Sequence, residues 1–279
     1  MAVKILAVNE YYVIFFTTLF SLPAVFLIHF HRPAVIRFSF YSLRRNYLIL
    51  ALLALSLLLN NYFYFAAFNR TSIAIAVFTH YTAPLFVAIL APLLLFESFE
   101  KQLLLPLFIA LLGLALVLFP NLRLIDPEGG HLAGAFFGLA SGLAYAFTLI
   151  FAKKLTSNLK TLDLIFWQGV FIVFFLLPFY FSVPAGPAAP QELSAWLILL
   201  ILGLTHCLLA PFLYLRGLHL IPAQHAAIIG YLEPLAAVAL GLFINHESPS
   251  PAIWFGGTAI LISGALTIFW RRQKVNLKL

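Results

Sequence analysis

The chain has 279 residues, 63% of them hydrophobic and 9% charged, where an ordinary soluble domain carries about a quarter charged residues. So few charges cannot cover a soluble surface, so the composition excludes a water-soluble fold and implies a surface that mostly faces lipid. The formal charge of +7 arises from basic residues set between apolar runs, which is a topological signal and not a nucleic-acid footprint, and one cysteine, Cys207, leaves no disulfide framework and no cysteine-based metal cluster.

Apolar runs of spanning length fall at about 11–30, 47–67, 74–96, 102–120, 132–152, 162–182, 194–215, 223–244 and 252–270. Each is expected to be a helix, because hydrocarbon offers no partner to an unpaired backbone group. Breaker-rich stretches separate them, such as Asp126-Pro127-Glu128-Gly129-Gly130 and Pro184-Ala185-Gly186-Pro187. The fold class is therefore all-α, polytopic and transmembrane, with about nine helices. No small-residue cleavage site follows the apolar start, so the N-terminus does not read as a cleavable signal.

Orientation follows from the loops. Arg32, Arg37, Arg44, Arg45, Lys101, Lys153, Lys154, Lys160 and Arg216 fall on one side, with the tail residues Arg271, Arg272, Lys274 and Lys278. Lys4, Arg70 and Arg123 fall on the other. The richer side, with the C-terminus, is expected to be cytoplasmic.

The chain also repeats itself. The stretch from Ile75 to Leu85 matches His225 to Leu235 at one spacing: Ala76 falls on Ala226, Tyr81 on Tyr231, Pro84 on Pro234 and Leu85 on Leu235. The same spacing places Glu97-Ser98 on Glu247-Ser248, and Gly113 falls near Gly264 with one residue slipped. By the charge rule the first copy runs inward and the second outward, so the copies are inverted. Inverted repeats are the architecture of alternating-access transporters with a midplane solute site. The domain reading is a first repeat at 1–120, an external linker at 121–131, a second repeat at 132–270 and a basic cytoplasmic tail at 271–279.

The segment Tyr231-Leu232-Glu233-Pro234-Leu235, closed by Asn245-His246-Glu247, resembles the second EamA domain of the drug/metabolite transporter superfamily. Ala83-Pro84 with Phe96-Glu97 is similar to the matching part of the first domain. The resemblance implies ten helices in two inverted sets of five, with both termini cytoplasmic. On that pattern the first helix is missing and the first repeat at 1–120 is expected to be N-terminally truncated: residues 1–9 read as the end of that helix or the loop after it, and the span at 11–30 corresponds to the family's second.

Polar groups inside spans are the candidates for a solute site, because lipid penalises them. Glu233 lies well inside its span, before Pro234, on a face continued by Ala226, Gly230, Ala237 and Gly241. It either answers to protons and solute or caps backbone freed by the proline. Asn60, Asn61 and Tyr64 offer amide and phenol groups, with interhelical hydrogen bonding as the alternative role. His80 is a candidate for solute contact or proton relay, and Tyr145 borders the cavity beside Ser141 and Thr148. Tyr81 and Tyr231 flank the predicted centre as a repeat pair. The substrate-binding set is Asn60, Asn61, Tyr64, His80, Tyr145, Tyr231 and Glu233, with Glu233 and His80 as proton-coupling candidates. Gly134, Gly138 and Gly142 read as a helix-packing face, and Glu97 and Glu247 as polar anchors at helix ends.

No Walker-type loop is present and His206 with Cys207 has no third ligand, so no cofactor, metal or ATP drive is expected. The leading expectation is a secondary transporter in a prokaryotic inner membrane, exporting small organic metabolites such as amino acids or drugs. Its partners are then a small-molecule solute and the bilayer, with monomer and homodimer both open. The alternatives are a transport-inactive truncated homologue acting as an interaction protein through helix association, and a membrane-embedded enzyme, for which Asp126, Glu128 and His131 are the nearest thing to a polar constellation.

Overall fold

The computed structural model describes residues 10–31, 40–122, 131–182, 192–236 and 250–276. Its helices are α1 (Glu10–His31), α2 (Phe40–Phe68), α3 (Ile73–His80), α4 (Ala83–Leu95), α5 (Leu104–Leu122), α6 (His131–Thr156), α7 (Thr161–Ser182), α8 (Leu193–Leu202), α9 (Ala210–Leu220), α10 (Ala223–Ile229) and α11 (Pro251–Asn276). A 3₁₀ turn at Lys101–Leu103 leads into α5, and a π-helical segment at Gly203–Leu209 joins α8 to α9. The described residues contain no strand. Eight stretches among them are long and apolar enough to cross a bilayer, with α3 and α4 together making one and α8 through α9 another. Residues 1–9, the loop with Asp126 and Glu128, and the stretch holding Ala237, Gly241, Asn245, His246, Glu247 and Ser248 lie outside the described residues.

The chain divides into two compact units, one of Met1–Leu58 with Phe151–Leu220 and the other of Leu59–Ile150 with Ile221–Leu279. Each unit therefore combines segments from both sequence repeats. In the first, α1 packs on α7, α8 and the π-helical segment. Its core joins Phe15, Ala54, Ile172 and Leu176, and Phe15 stacks on Tyr180 with ring centroids 5.1 Å apart. Gly203 lets the π segment reach the α1 backbone: a Cβ there would stand 2.6 Å from the Thr17 carbonyl oxygen.

In the second unit the dominant contact is α5 against α11. Gly113 permits it, since a Cβ at that position would lie 2.7 Å from the Gly256 carbonyl oxygen. The Ser263 hydroxyl donates to the Pro106 carbonyl at 2.7 Å, pinning the two helices with a bond that hydrocarbon cannot replace. Leu103, Leu107, Ala110, Leu114, Val117 and Ile260 form the core between them, and Ile228 and Tyr231 join it from the second repeat. Large apolar side chains such as Phe108, Phe136, Trp254 and Phe255 remain exposed, as a lipid-facing surface requires.

Two of the helical runs are interrupted. The first run breaks at Tyr81-Thr82, between α3 and α4. The second breaks at Gly230-Tyr231, after which residues 232–236 resume the helix. The cause lies three residues beyond each tyrosine. Pro84 and Pro234 have no N–H to return to the carbonyl four residues earlier, and their rings crowd it. That carbonyl belongs to His80 in one copy and Gly230 in the other. The chain tightens locally: Leu85 N–H donates to Thr82 O at 2.9 Å and Glu233 N–H to Gly230 O at 3.0 Å.

Candidate functional site

The break between α3 and α4 assembles a polar, aromatic cluster within the second unit. The His80 ring lies 4.4 Å from the Tyr64 ring and 5.5 Å from that of Tyr145, centroid to centroid. Its Nδ1 is 2.6 Å from the Ser141 hydroxyl, and Ser141 is wholly buried. α6 can bring Ser141 and Tyr145 this close because it turns its glycines toward α3. A Cβ on Gly142 would stand 2.6 Å from the His80 carbonyl oxygen, the group orphaned by Pro84. Gly134 and Gly138 face Thr71 and Thr79 in the same way, so the glycine series is a packing face.

The second repeat enters from the other side of the break. The Tyr231 hydroxyl donates to the Tyr81 carbonyl at 2.7 Å, and their rings stack at 5.9 Å. Tyr231 is buried to 1% exposure, so it forms the back wall of the cluster and its hydroxyl is committed to the break. Glu233 is exposed. Its carboxyl is an electrostatic neighbour of both Tyr64 and Tyr81.

Asn60 lies one turn before Tyr64 on the same face of α2. It is 8% exposed, and its Oδ1 is a buried acceptor with no hydrogen-bond partner in the structure. Such an acceptor costs about 1–3 kcal/mol in a packed interior. Asn61 follows roughly 100° further round the helix, off the Asn60–Tyr64 face, and is half-buried. Five of the seven residues singled out from sequence, Tyr64, His80, Tyr145, Tyr231 and Glu233, thus meet around the paired breaks through Tyr81. Asn60 stands one turn along, and Asn61 faces away.

A second polar cluster, which the sequence reading missed, stands at the far end of α10. Both carboxylate oxygens of Glu97 accept from the Ala223 N–H at 3.1 Å, so Glu97 is a remote cap on α10 and not only a polar anchor. Gln224 donates from Nε2 to the Ser98 carbonyl at 3.0 Å and accepts from the Glu100 N–H at 3.4 Å. The His225 Nε2 lies 3.2 Å from a Glu100 carboxylate oxygen. The one available signal was the concentration of Glu97, Ser98, Glu100, Gln224 and His225 at matched helix ends.

Cys207 belongs to neither cluster; its thiol is an electrostatic neighbour of Thr17 and Thr18 in the first unit. Among the described residues no group of histidine, cysteine and acidic side chains is arranged to hold a metal.

The chain is similar to known proteins. An uncharacterized transporter of Archaeoglobus fulgidus is 29% identical over 208 residues, covering 75% of this chain and 71% of that protein. Uncharacterized transporter YxxF of Bacillus subtilis is 27% identical over 79% of this chain and 69% of its own length. A protein of Rickettsia prowazekii named S-adenosylmethionine uptake transporter is 25% identical over 71% of this chain and 64% of its own. A solved crystal structure shares the fold with a TM-score of 0.79, over 96% of this chain and 90% of that one, at 15% identity. The model of the EamA-like transporter family matches residues 1–119 and 132–269. With both repeats matched and the multi-pass helical fold in place, this chain belongs to the EamA-like transporter family.

Proposed function

We propose that this membrane transporter moves its small-molecule solute past the paired helix breaks at Tyr81 and Tyr231. The observation that carries this reading is that the two repeats interrupt their helices at equivalent tyrosines and meet there through a hydrogen bond. Interrupted helices at matching positions of inverted repeats are where transporters expose polar backbone and side chains to a solute. Asn60, Tyr64, His80, Tyr145 and Glu233 supply its contacts, while Tyr231 holds the breaks together. An ionisable side chain exposed this far along a span faces water or solute, since lipid would penalise it; this favours solute contact for Glu233 over a purely structural role.

Alternating access then needs a closure on each face. The tie from Glu97, Ser98 and Glu100 to Ala223, Gln224 and His225 is the closure on the face that carries Lys101 and Arg216, which the charge rule assigns to the cytoplasm of a prokaryotic inner membrane, with the C-terminus. Glu247-Ser248 repeats Glu97-Ser98 on the other face. There, however, Ala74 and Ile75 stand where α10 has Gln224 and His225.

Export of metabolites is the direction expected from the sequence, while one relative is named for uptake. Rocking of inverted halves is reversible, so direction belongs to the driving gradient and not to the architecture. Glu233 and His80 are the groups through which a proton gradient would act. The test is exchange of labelled amino acids and S-adenosylmethionine into proteoliposomes of the purified chain. Saturable exchange that Glu233→Gln slows by at least about tenfold, or about 1.4 kcal/mol, supports the site. Exchange that is unaffected by Glu233→Gln and Asn60→Leu contradicts it.

A further inference from the structure

The charge inventory of the spans is one-sided. All sixteen Lys and Arg residues fall at span ends or in the connections between spans. Of the nine acidic residues, Glu233 alone lies well inside a span; the others stand at ends or in loops, Asp163 in the first turn of α7. The site around the paired breaks therefore contains a carboxyl group and no fixed cation.

Its hydrogen-bonding character leans the same way. Helix N-termini usually offer free N–H groups to anions, but here several of those donors are already used. Thr82 N–H goes to Thr79 O, Leu85 N–H to Thr82 O, Tyr231 N–H to Ile228 O and Glu233 N–H to Gly230 O. Pro84 and Pro234 have none to give. Two acceptors stand beside the breaks: the exposed Glu233 carboxyl and the buried, unpartnered Oδ1 of Asn60. Around them stand the rings of Tyr64, Tyr81 and Tyr145, whose faces attract positive charge.

Resting on the transporter reading above, we infer that the solute of this site is an organic cation, an onium group or a protonated amine. An anion would meet Glu233 with like charge in a poorly screened interior. A neutral solute would leave the carboxylate without a counter-charge as the site closes. A cation satisfies the carboxylate, the Asn60 oxygen and the tyrosine faces together.

The experiment uses the purified full chain in nanodiscs, with choline, tetraethylammonium and agmatine as probes. The neutral 3,3-dimethylbutan-1-ol and the anionic 3,3-dimethylbutanoate serve as shape twins of choline. At least one cation is expected to bind, with choline or a larger cation favoured over the neutral twin by about tenfold or more. Glu233→Gln is expected to erase that preference, and Asn60→Leu to weaken cation binding with the carboxyl intact. Equal binding of the twins, a preference that survives Glu233→Gln, or no binding of any cation overturns the inference. Counterflow in proteoliposomes separates this from the reading beneath it. Cation binding without movement of any solute sinks the transporter reading and leaves the cation site. Movement of neutral or anionic solutes alone sinks the cation site and leaves the transporter.

Discussion

Tyr231 and Tyr81 stand 150 positions apart in the chain and occupy the same place in the two repeats, yet the hydroxyl of one donates to the backbone carbonyl of the other at 2.7 Å. The relation is not reciprocal. Tyr231 fills the core and secures the break in the first repeat, while the Tyr81 side chain is only partly buried and has the Glu233 carboxyl as an electrostatic neighbour. One tyrosine of the pair is thus structural and the other faces the site.

That asymmetry separates two conservative changes. Tyr231→Phe removes the donor and leaves the Tyr81 carbonyl buried, so it is expected to lower stability by about 1–3 kcal/mol. Tyr81→Phe keeps the bond, whose acceptor is backbone, and is expected to change solute affinity more than stability. Thermal unfolding in detergent compared with binding in nanodiscs reads the difference; equal loss of stability in both variants would refute the division of roles.

The glycine approach of α6 to α3 gives a second expectation. At Gly142 an added methyl would meet two backbone oxygens, of His80 at 2.6 Å and of Thr79 at 3.3 Å, neither of which can swing away. Gly142→Ala should destabilise by about 1–3 kcal/mol through overpacking. Gly217→Ala is the control, because a Cβ there meets nothing within 4 Å. It should be neutral or stabilising by about 0.5–1 kcal/mol, as alanine is the better helix former. Urea or thermal unfolding of the two variants orders them.

Asn60 separates function from stability most sharply. Its unpartnered Oδ1 is a cost to the folded state, so Asn60→Leu should leave the melting temperature unchanged or raised while solute exchange falls about tenfold. A variant that loses stability and activity together would mark Asn60 as an ordinary packing residue with a partner.

The closure on α10 predicts a change of accessibility. Removing the Glu97 carboxylate frees the Ala223 N–H, and a cysteine at buried Ala227, one turn further on, should then label faster from the cytoplasmic side. In a Cys207→Ala background, Glu97→Ala should speed labelling by about tenfold, the equivalent of about 1.4 kcal/mol. Unchanged labelling would mean that these bonds cap α10 without holding the face shut.

Much of this was legible in the sequence, for reasons that also mark where legibility stopped. Span positions follow from apolar length, which hydrocarbon enforces directly. Tyr64, His80, Tyr145 and Glu233 were recognisable because polar groups inside spans must face one another or water. The breaks were not, since Tyr81-Thr82 and Gly230-Tyr231 carry nothing that forbids a helix. A proline three residues on is equally compatible with a kinked, unbroken span. The closure was missed because it depends on residues more than a hundred positions apart, such as Glu97 with Ala223, whose meeting only the packed helices decide. Asn60 and Asn61 looked alike in sequence, and only burial and the helix face tell them apart.

The central claim is that the site beside Tyr81 and Tyr231 opens to each face of the membrane in turn. A cysteine at the exposed Glu233 position, in a Cys207→Ala background, tests it directly with a membrane-impermeant thiol reagent on right-side-out and inside-out vesicles. Alternating access predicts labelling from both faces. Reaction from one face only, or from neither, would contradict the account.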